Sequence, residues 1–484
     1  MLIKSQTPSA QLLVPGSDQT LVDQIVQWYG SRIEERTLRP GVRISSIRQF
    51  ATDHAVSRFT VVEAYDRLVA RGYIESRRGS GFFVKARPSN LITGELPAQQ
   101  TWADAAHSKI DVVWLLRNMF KKLPARDMPG AGVLPSDWLE EELVASSLRA
   151  LGRASSANLL EYGVPQGYLP LRQQLQLKLA SQDIAVSPEQ ILTVNGVTQG
   201  LDLVAQHYLK PGDCVMVDEP SWFLIFGRFA QLGVRIISVP RMPDGPDVSA
   251  IEALVIANKP KFYLTVSVLH NPTSCGLSSA KAYQILRLAE LHDFMIVEDD
   301  IYSDLHPGLS SQPALRLAAL DQLRRVIYLG GFSKTLAANL RVGFIACNAE
   351  LARELTDRKL LVGLTSSELG ERIVYRVLSE GHYRKYLDRL RERLDRHRDT
   401  SIRAIEKLGL KMFSVPSAGM FLWANAGVDS NAVAQNMMEH GYLMAPGSLF
   451  LPDQRPSTWM RFNVATTNNF KMLDQLAKVL DRVR

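Results

Sequence analysis

Apolar residues are spaced differently in the first ninety residues and in the rest of the chain. From Leu21 they recur at every fourth position, which predicts an amphipathic helix. A short second helix follows, with Ser45 as its predicted N-cap, and a third helix begins at Ser57. Residues 73–84 predict a β-hairpin that turns at Gly79-Ser80-Gly81. Three helices and a basic hairpin predict a winged helix-turn-helix over residues 1–84.

From about residue 130, short apolar runs alternate with amphipathic stretches, which predicts an α/β domain with a mostly parallel sheet. Residues 85–110 mix Pro, Gly, Gln, Ala and Ser without periodicity and predict a linker. Residues 111–123 predict a helix that packs on the large domain, so we assign residues 111–484 to that domain. The candidate strands are 191–194, 214–217, 235–239, 262–265, 294–297, 326–329 and 342–346.

Composition narrows the class of protein. With 484 residues, 46% hydrophobic and 22% charged, the chain is typical of a globular protein of two or more domains. No apolar run is long enough to span a membrane and the N-terminus does not resemble a secretory signal, so we expect a cytoplasmic protein. Cys214, Cys275 and Cys347 lie far apart, which predicts neither a disulfide framework nor a metal site.

Positive charge is concentrated near the N-terminus. Residues 1–90 hold 13 Lys and Arg against eight Asp and Glu, which accounts for five of the net +7 charges. This excess indicates a polyanionic partner. The third helix would begin with Ser57, Arg58 and Thr60, short donors at the end that enters a DNA groove. The pattern alone also fits a small helical domain whose arginines are simply solvated.

Motifs in this region resemble the DNA-binding module of the GntR family over residues 20–84. They include Leu38-x-Pro40-Gly41 and Val56-Ser57-Arg58-x-Thr60-Val61. The resemblance implies binding to double-stranded DNA. One departure is Ile44-Ser45-Ser46-Ile47, which lacks a proline common at the start of the second helix. The expected DNA-contacting residues are Arg48, Ser57, Arg58, Thr60, Arg78, Gly79, Ser80 and Gly81.

Polar and aromatic residues follow the candidate strands of the large domain. Parallel sheets bind ligands at the carboxyl ends of their strands, so these residues are site candidates. Asn195-Gly196-Val197-Thr198 opens a helix, an arrangement that suits a phosphate. Gly331-Phe332-Ser333-Lys334 follows the strand 326–329. The other candidates are Trp222, Asn271, Asp299, Tyr302 and Arg341.

Together these residues resemble the fold-type I pyridoxal-phosphate enzymes, the class I and II aminotransferases, over residues 130–484. The resemblance implies a smaller C-terminal α+β subdomain beside the mostly parallel sheet. The resemblance implies that pyridoxal 5′-phosphate forms a Schiff base with Lys334. Asp299 would keep the pyridine nitrogen protonated, and Trp222 would stack on the ring. Asn271 and Tyr302 would donate to the ring oxygen. The implied phosphate ligands are Gly196, Val197, Thr198, Ser333 and Arg341.

Two more residues match motifs of that family. Tyr162 matches a tyrosine that reaches the phosphate from the partner subunit, and Arg461 matches the arginine that binds the substrate carboxylate. Gly331 departs from the family, which commonly has a phosphate-binding serine there, and Asn339 replaces a frequent glycine. We still expect the cofactor to bind; the alternative is a domain that has lost its ligand.

A GntR-type winged helix followed by an aminotransferase-like domain resembles the MocR-type regulators. This resemblance implies a head-to-tail homodimer whose DNA binding responds to the cofactor or its adducts. Our main hypothesis is a transcription regulator in which an amine or amino acid displaces Lys334, while Arg461 holds any carboxylate. Two alternatives remain open: a working aminotransferase, possessing a secondary DNA-binding part, and a sensor of pyridoxal phosphate itself.

Overall fold

The computed structural model describes residues 13, 19–86, 110–120, 123–153, 160–306 and 314–483. Contacts divide the chain into two compact units, residues 1–99 and 100–484. Most of the predicted linker, residues 85–110, lies outside the described residues. In the described part, no helix is both long and apolar enough to cross a membrane.

The N-terminal unit contains the three predicted helices and the predicted hairpin. The helices are Leu21–Glu34, Ile47–Asp53 and Arg58–Ala70, and the hairpin pairs β1 (Ile74–Arg77) with β2 (Gly81–Val84) in antiparallel register. One apolar side of each helix faces a common core, as the spacing of apolar residues predicts. The largest fully buried side chains there are Tyr65 and Phe50.

The second helix begins one residue later than predicted. Ser46, not Ser45, is its N-cap, because the Ser46 hydroxyl accepts a hydrogen bond from Gln49 N at 3.2 Å. The Ser45 carbonyl instead accepts a hydrogen bond from the Tyr65 hydroxyl at 2.8 Å. Two consecutive serines satisfy the capping pattern equally well, so the packing of Tyr65 decides between them.

All seven predicted strands of the large unit are present. They are β3 (Ile191–Val194), β4 (Cys214–Glu219), β5 (Arg235–Met242), β7 (Phe262–Thr265), β8 (Met295–Asp299), β9 (Val326–Gly331) and β10 (Gly343–Ala346). Together with β6 (Gly245–Pro246) they form one sheet in the order β3-β10-β9-β8-β7-β4-β5-β6. Its pairs are parallel except those of β10 with β3 and β9, and of β5 with β6.

Helices cover this mostly parallel sheet. Every residue of β3, β7 and β10 is buried, as expected for strands with both faces covered. The predicted helix at 111–123 is Val112–Met119, and its Leu115 joins the core of this unit. The other helices are Glu141–Arg153, Leu169–Ala180, Val197–Tyr208, Leu224–Gln231, Val248–Asn258, Ser279–Leu291, Leu317–Asp321, Ala349–Gly363, Glu368–Ser379, His382–Lys407, Ser430–Glu439 and Phe470–Val483.

A smaller antiparallel sheet completes the C-terminal part. It is made of β11 (Lys411–Met412), β12 (Phe421–Asn425), β13 (Ala445–Pro446) and β14 (Trp459–Asn463), in the order β11-β12-β14-β13. This confirms the predicted smaller α+β subdomain. The sheet matters for function because β14 carries Arg461.

The large unit is tightly packed around Gly167. It has φ +110°, and a Cβ there would lie 2.0 Å from Thr193 Oγ1, whereas Gly212 has φ +92° with nothing within 4 Å. We expect Gly212→Ala to lower the free energy of unfolding by about 1–2 kcal/mol, the cost of positive φ alone. Gly167→Ala should cost about 1–3 kcal/mol more, because of the clash. Urea denaturation of both variants measures the difference, and equal costs would contradict this packing.

Candidate functional site

The carboxyl ends of the parallel strands border a cavity, where the predicted residues meet. Nine of the eleven residues predicted to bind the cofactor line it. They are Val197, Thr198, Trp222, Asn271, Asp299, Tyr302, Ser333, Lys334 and Arg341. Val266 and Ile301 also line the cavity, although neither was singled out in the sequence. Their apolar side chains follow β7 and β8, and nothing in their spacing distinguishes them from ordinary core residues.

Lys334 lies in the connection between β9 and β10. Its Nζ donates a hydrogen bond to the Gly132 carbonyl at 2.8 Å. Burial, together with the charges of Arg461 and Arg341, lowers the pKa of Lys334 to about 8, although Asp299 opposes this shift. Near neutral pH, a larger share of this amine is therefore neutral than in an ordinary lysine, and a neutral amine is the nucleophilic form. The role of Gly132 could not be predicted from the sequence, because a residue that acts through its backbone carbonyl has no side-chain pattern to mark it.

Asp299 ends β8 and is buried at the base of the cavity. Burial raises the pKa of Asp299 to about 7, although Oδ1 accepts a hydrogen bond from Ile301 N at 3.1 Å. A buried carboxylate is costly to ionise without a cationic partner. A protonated ring nitrogen of a ligand would supply such a partner.

Asn271 bridges Tyr302 and Arg461. Its Nδ2 donates to the Tyr302 hydroxyl at 3.2 Å, and its Oδ1 accepts from Arg461 Nη1 at 2.9 Å. Burial raises the pKa of Tyr302 well above its ordinary value, so its hydroxyl keeps its proton. These hydrogen bonds therefore connect Arg461, predicted to bind the carboxylate, with Asn271 and Tyr302, predicted to donate to the ring oxygen.

Arg461 is 1% exposed and has no acidic partner among the described residues. Its Nη2 donates to the Gly130 carbonyl at 2.7 Å, while its Nε is buried without a hydrogen-bond partner in the described part of the chain. The guanidinium carbon lies 4.5 Å from the centre of the Phe421 ring and 4.9 Å from that of Phe450. Burial lowers the pKa of Arg461 to about 10, and only Tyr302 opposes this shift. A buried guanidinium in such surroundings is suited to an anionic ligand.

The other end of the cavity is built for a second anion. Gly196, with φ +81°, precedes the helix Val197–Tyr208, whose first N–H groups are free of intrahelical bonds. A Cβ on Gly196 would lie 2.6 Å from Arg341 Nη2, so only glycine permits this approach. Arg341 Nη2 donates to the Asn195 carbonyl at 3.0 Å, and Nη1 lies 3.5 Å from Ser333 Oγ. Backbone N–H groups, a hydroxyl and a guanidinium form a donor set that fits a phosphate.

The departure at Gly331 has a steric explanation. A Cβ at this position would lie 3.0 Å from Ile301 Cδ1 and 3.3 Å from both Gly343 Cα and the Val342 carbonyl oxygen. Ile301 thus narrows the space that a serine side chain would need. Glycine at position 331, in place of the serine common in the family, leaves room for the side chain of Ile301.

Tyr162 does not meet the other predicted residues within this chain. It is 81% exposed and lies outside the cavity. The resemblance assigns it to the cavity of a second subunit, so its exposure in a single chain agrees with that expectation without testing it.

Of the predicted DNA-contacting residues, Arg48 lies in the second helix, Ser57, Arg58 and Thr60 lie at the start of the third, and Arg78, Gly79, Ser80 and Gly81 lie at the tip of the hairpin. Ser57 Oγ accepts from Thr60 N at 3.0 Å and caps the helix. The side chains of Arg48, Arg58 and Arg78 are exposed, and they make no hydrogen bond or ion pair with the described residues. At the wing tip, Gly79 and Gly81 have φ +75° and +101°, and Ser80 between them is exposed.

Two family models match the chain. The model for class I and II aminotransferases matches residues 130–480, and the model for bacterial regulatory proteins of the gntR family matches residues 21–84. The chain belongs to the MocR-type regulators of the GntR family. In this MocR-type chain, the regulator module and the aminotransferase-like domain coincide with the N-terminal and C-terminal units.

Relatives of both kinds match this MocR-type chain. The HTH-type transcriptional regulator YisV of Bacillus subtilis is 26% identical over 468 residues, 94% of each chain. The 2-aminoadipate transaminase of Thermus thermophilus is 30% identical over 344 residues, 69% of this chain and 85% of the relative. The crystal structure of Pyrococcus horikoshii kynurenine aminotransferase matches with a TM-score of 0.70 and 26% identity, covering 78% of this chain and 96% of that one. The aminotransferases of this fold depend on pyridoxal phosphate, which supports the cofactor by family.

The raised pKa of Asp299 and the lowered pKa of Lys334 predict how pyridoxal phosphate binding depends on pH. Affinity should rise as pH increases through about 7, because Asp299 ionises, and again towards 8, because Lys334 loses its proton. Titrations followed by visible absorbance measure this profile. Asp299→Asn should lose the rise near 7 and keep the rise near 8. Any titration of the ligand itself affects both proteins equally, so it does not contribute to the difference between them. Identical profiles for the two proteins would contradict the role of Asp299.

Proposed function

We propose that this chain is a transcription regulator that binds duplex DNA with residues 1–84 and pyridoxal 5′-phosphate with residues 111–484, joined by a linker at 85–110. The observation that carries the proposal is the charge of the cavity. Among the described residues, three charged groups act on Lys334: the guanidinium groups of Arg461 and Arg341, and one carboxylate, Asp299. Including Lys334 itself, three cations therefore face a single anion. A ligand with a phosphate, a protonated ring nitrogen and an amine-reactive carbon complements this arrangement.

When bound, pyridoxal phosphate supplies an aldehyde that condenses with primary amines and a ring that withdraws electrons. The Lys334 amine would hold that aldehyde, and Asp299 would hold the proton on the ring nitrogen. Asn271 and Tyr302 would donate to the ring oxygen, and Trp222 would cover the ring face. The residues that would hold the phosphate are Gly196, Val197, Thr198, Ser333 and Arg341.

The effector in this proposal is a primary amine or an amino acid. Arg461 would bind its carboxylate, since this guanidinium is buried without an acidic partner in the described part of the chain. The effector amine would replace the Lys334 amine, which leaves Lys334 free to take up a proton. The cavity would then have two states, which differ in the charge and position of Lys334 and so in its contacts. A ligand can change DNA binding only if it interacts differently with two such states.

We further propose a head-to-tail homodimer. Two segments carry exposed apolar side chains: Leu160, Tyr162 and Val164 in the first, and Leu361, Val362 and Leu364 in the second. Gly163 in the first segment lies beside residues 366–368, which follow the second segment, since a Cβ on Gly163 would lie 3.1 Å from Glu368 Cβ and 3.3 Å from the Ser366 carbonyl. Large contiguous apolar surfaces mark interfaces. A second copy on this surface would bring Tyr162 of the partner subunit towards the phosphate.

On DNA, the start of the third helix would enter the major groove and the wing would follow the backbone. Arg48, Ser57, Arg58 and Thr60 would contact DNA from the helices, and Arg78, Gly79, Ser80 and Gly81 from the wing. The side chains of Arg48, Arg58 and Arg78 are exposed and carry no competing protein partners in the described part, and Ser57 and Thr60 bond each other. We place this function in the cytoplasm, where bacterial DNA is accessible.

A second candidate function is transamination. Lys334 and Arg461 lie in one cavity region, and the 2-aminoadipate transaminase of Thermus thermophilus is among the relatives. Steady-state turnover with an amino acid and a keto acid at about 1–1000 per second would favour this candidate. A third reading, in which the cofactor itself is the effector, predicts that apo and loaded proteins differ in DNA binding without any added amine.

Lys334→Ala tests the coupling. The variant should lose covalent attachment of pyridoxal phosphate and the visible absorbance that accompanies it. Its DNA affinity should no longer change when amines or amino acids are added, because the exchange at position 334 is removed. Fluorescence anisotropy with promoter fragments measures this response, and Lys281→Ala, remote from the cavity, is the matched control. The coupling is wrong if Lys334→Ala keeps both the affinity and the effector response of the original protein.

Arg58→Ala tests whether the two units work separately. We expect specific DNA binding to fall by about five- to 150-fold, because one charged contact to a base or phosphate is lost, a cost of about 1–3 kcal/mol. The visible absorbance of the bound cofactor should stay unchanged, because Arg58 belongs to the other unit. Loss of both properties together would mean that the substitution unfolds the protein, and unchanged DNA binding would contradict the assigned interface.

A further inference from the structure

Phe59 is an exposed aromatic side chain at the start of the third helix. It is the second residue of Arg58–Ala70 and is 77% exposed. The buried side of the same helix consists of Val61, Ala64, Tyr65 and Leu68. At 100° per residue, Phe59 points almost directly away from that side. It therefore contributes little to the core. An exposed aromatic ring does not gain the free energy that burial of its apolar surface would give.

The neighbours of Phe59 are suited to DNA. Arg58 precedes it with a guanidinium that has no partner among the described residues, and Thr60 follows it as part of the cap with Ser57. The first turn of this helix contains no acidic residue. An anionic surface can therefore approach the ring closely without like-charge repulsion.

The exposed apolar area is small. Apart from Phe59, only Val62, one turn further on and 38% exposed, adds apolar surface at this end of the helix. Such an area is far below the roughly 800 Å² per partner of a protein–protein interface. It does match one base-pair step, where the thymine C5-methyl is the apolar group that a major groove presents.

We propose that Phe59 reads a thymine methyl group in the major groove and so helps to determine the DNA sequence that this protein selects. The inference rests on the proposed function, in which this helix enters the groove. It adds an apolar contact to the hydrogen-bonding residues Arg58 and Ser57. Position 59 thereby distinguishes thymine from cytosine and from uracil, which present no methyl group there.

The experiment begins with the full-length, cofactor-loaded protein and a random-sequence duplex library. Binding sites are selected, and each thymine of the best duplex is replaced singly by deoxyuridine, which removes only the methyl group. At one or two thymines in each half-site, we expect the affinity to fall about fourfold, the factor that corresponds to one methyl group returned to water. Phe59→Ala should bind the thymine and uracil duplexes equally at those positions, and Phe59→Leu should keep part of the difference.

Val69→Ala is the matched control, since Val69 is exposed near the other end of the same helix. It should keep the full penalty for uracil. The proposal is overturned if no thymine is sensitive to loss of its methyl, or if Phe59→Ala shows the same penalty as the original protein. Failure to enrich any duplex would instead remove the proposed DNA-binding function, and the inference with it. Unchanged urea denaturation shows that the variants remain folded, and unchanged visible absorbance shows that the large unit still holds its cofactor.

Discussion

An excess of positive charge at the cavity is the constraint on which the large unit depends. Lys334 and Arg341 line the cavity, the buried Arg461 acts on Lys334, and Asp299 is the carboxylate that acts on Lys334 within the described residues. Charges taken out of water are costly unless they are paired. The low pKa of Lys334 and the raised pKa of Asp299 reflect that cost. An anionic ligand lowers this cost, because it pairs with the positive charges of the cavity.

The fold brings these charges together from distant parts of the chain. Lys334 lies in the short return between β9 and the antiparallel β10, whereas Arg461 comes from the smaller sheet. Gly130 and Gly132 provide carbonyls to Arg461 and Lys334, so an early segment positions both cations. The site therefore depends on the docking of the small sheet against the large one. Displacement of either would change the environment of Lys334.

Much of this arrangement could be predicted from the sequence. The strands are short apolar runs, and chemistry-bearing residues such as Asn271 and Asp299 follow them because ligands bind at the carboxyl ends of parallel strands. Other features depend on three-dimensional packing. The choice of Ser46 over Ser45 is decided by Tyr65, and the narrowing of the site by Ile301 is visible only once β8 and β9 are paired. Arg461 was recognised through family resemblance, since no local pattern marks it.

The most direct measurement compares the affinities of the purified apoprotein for pyridoxal phosphate and for pyridoxal, which lacks the phosphate. If the charges at Arg341 and at the start of the helix Val197–Tyr208 serve to hold a phosphate, pyridoxal should bind at least a hundredfold more weakly, since two or more charge-assisted hydrogen bonds are lost at about 1.5–3 kcal/mol each. Equal affinities, or no binding of either compound, would contradict the account.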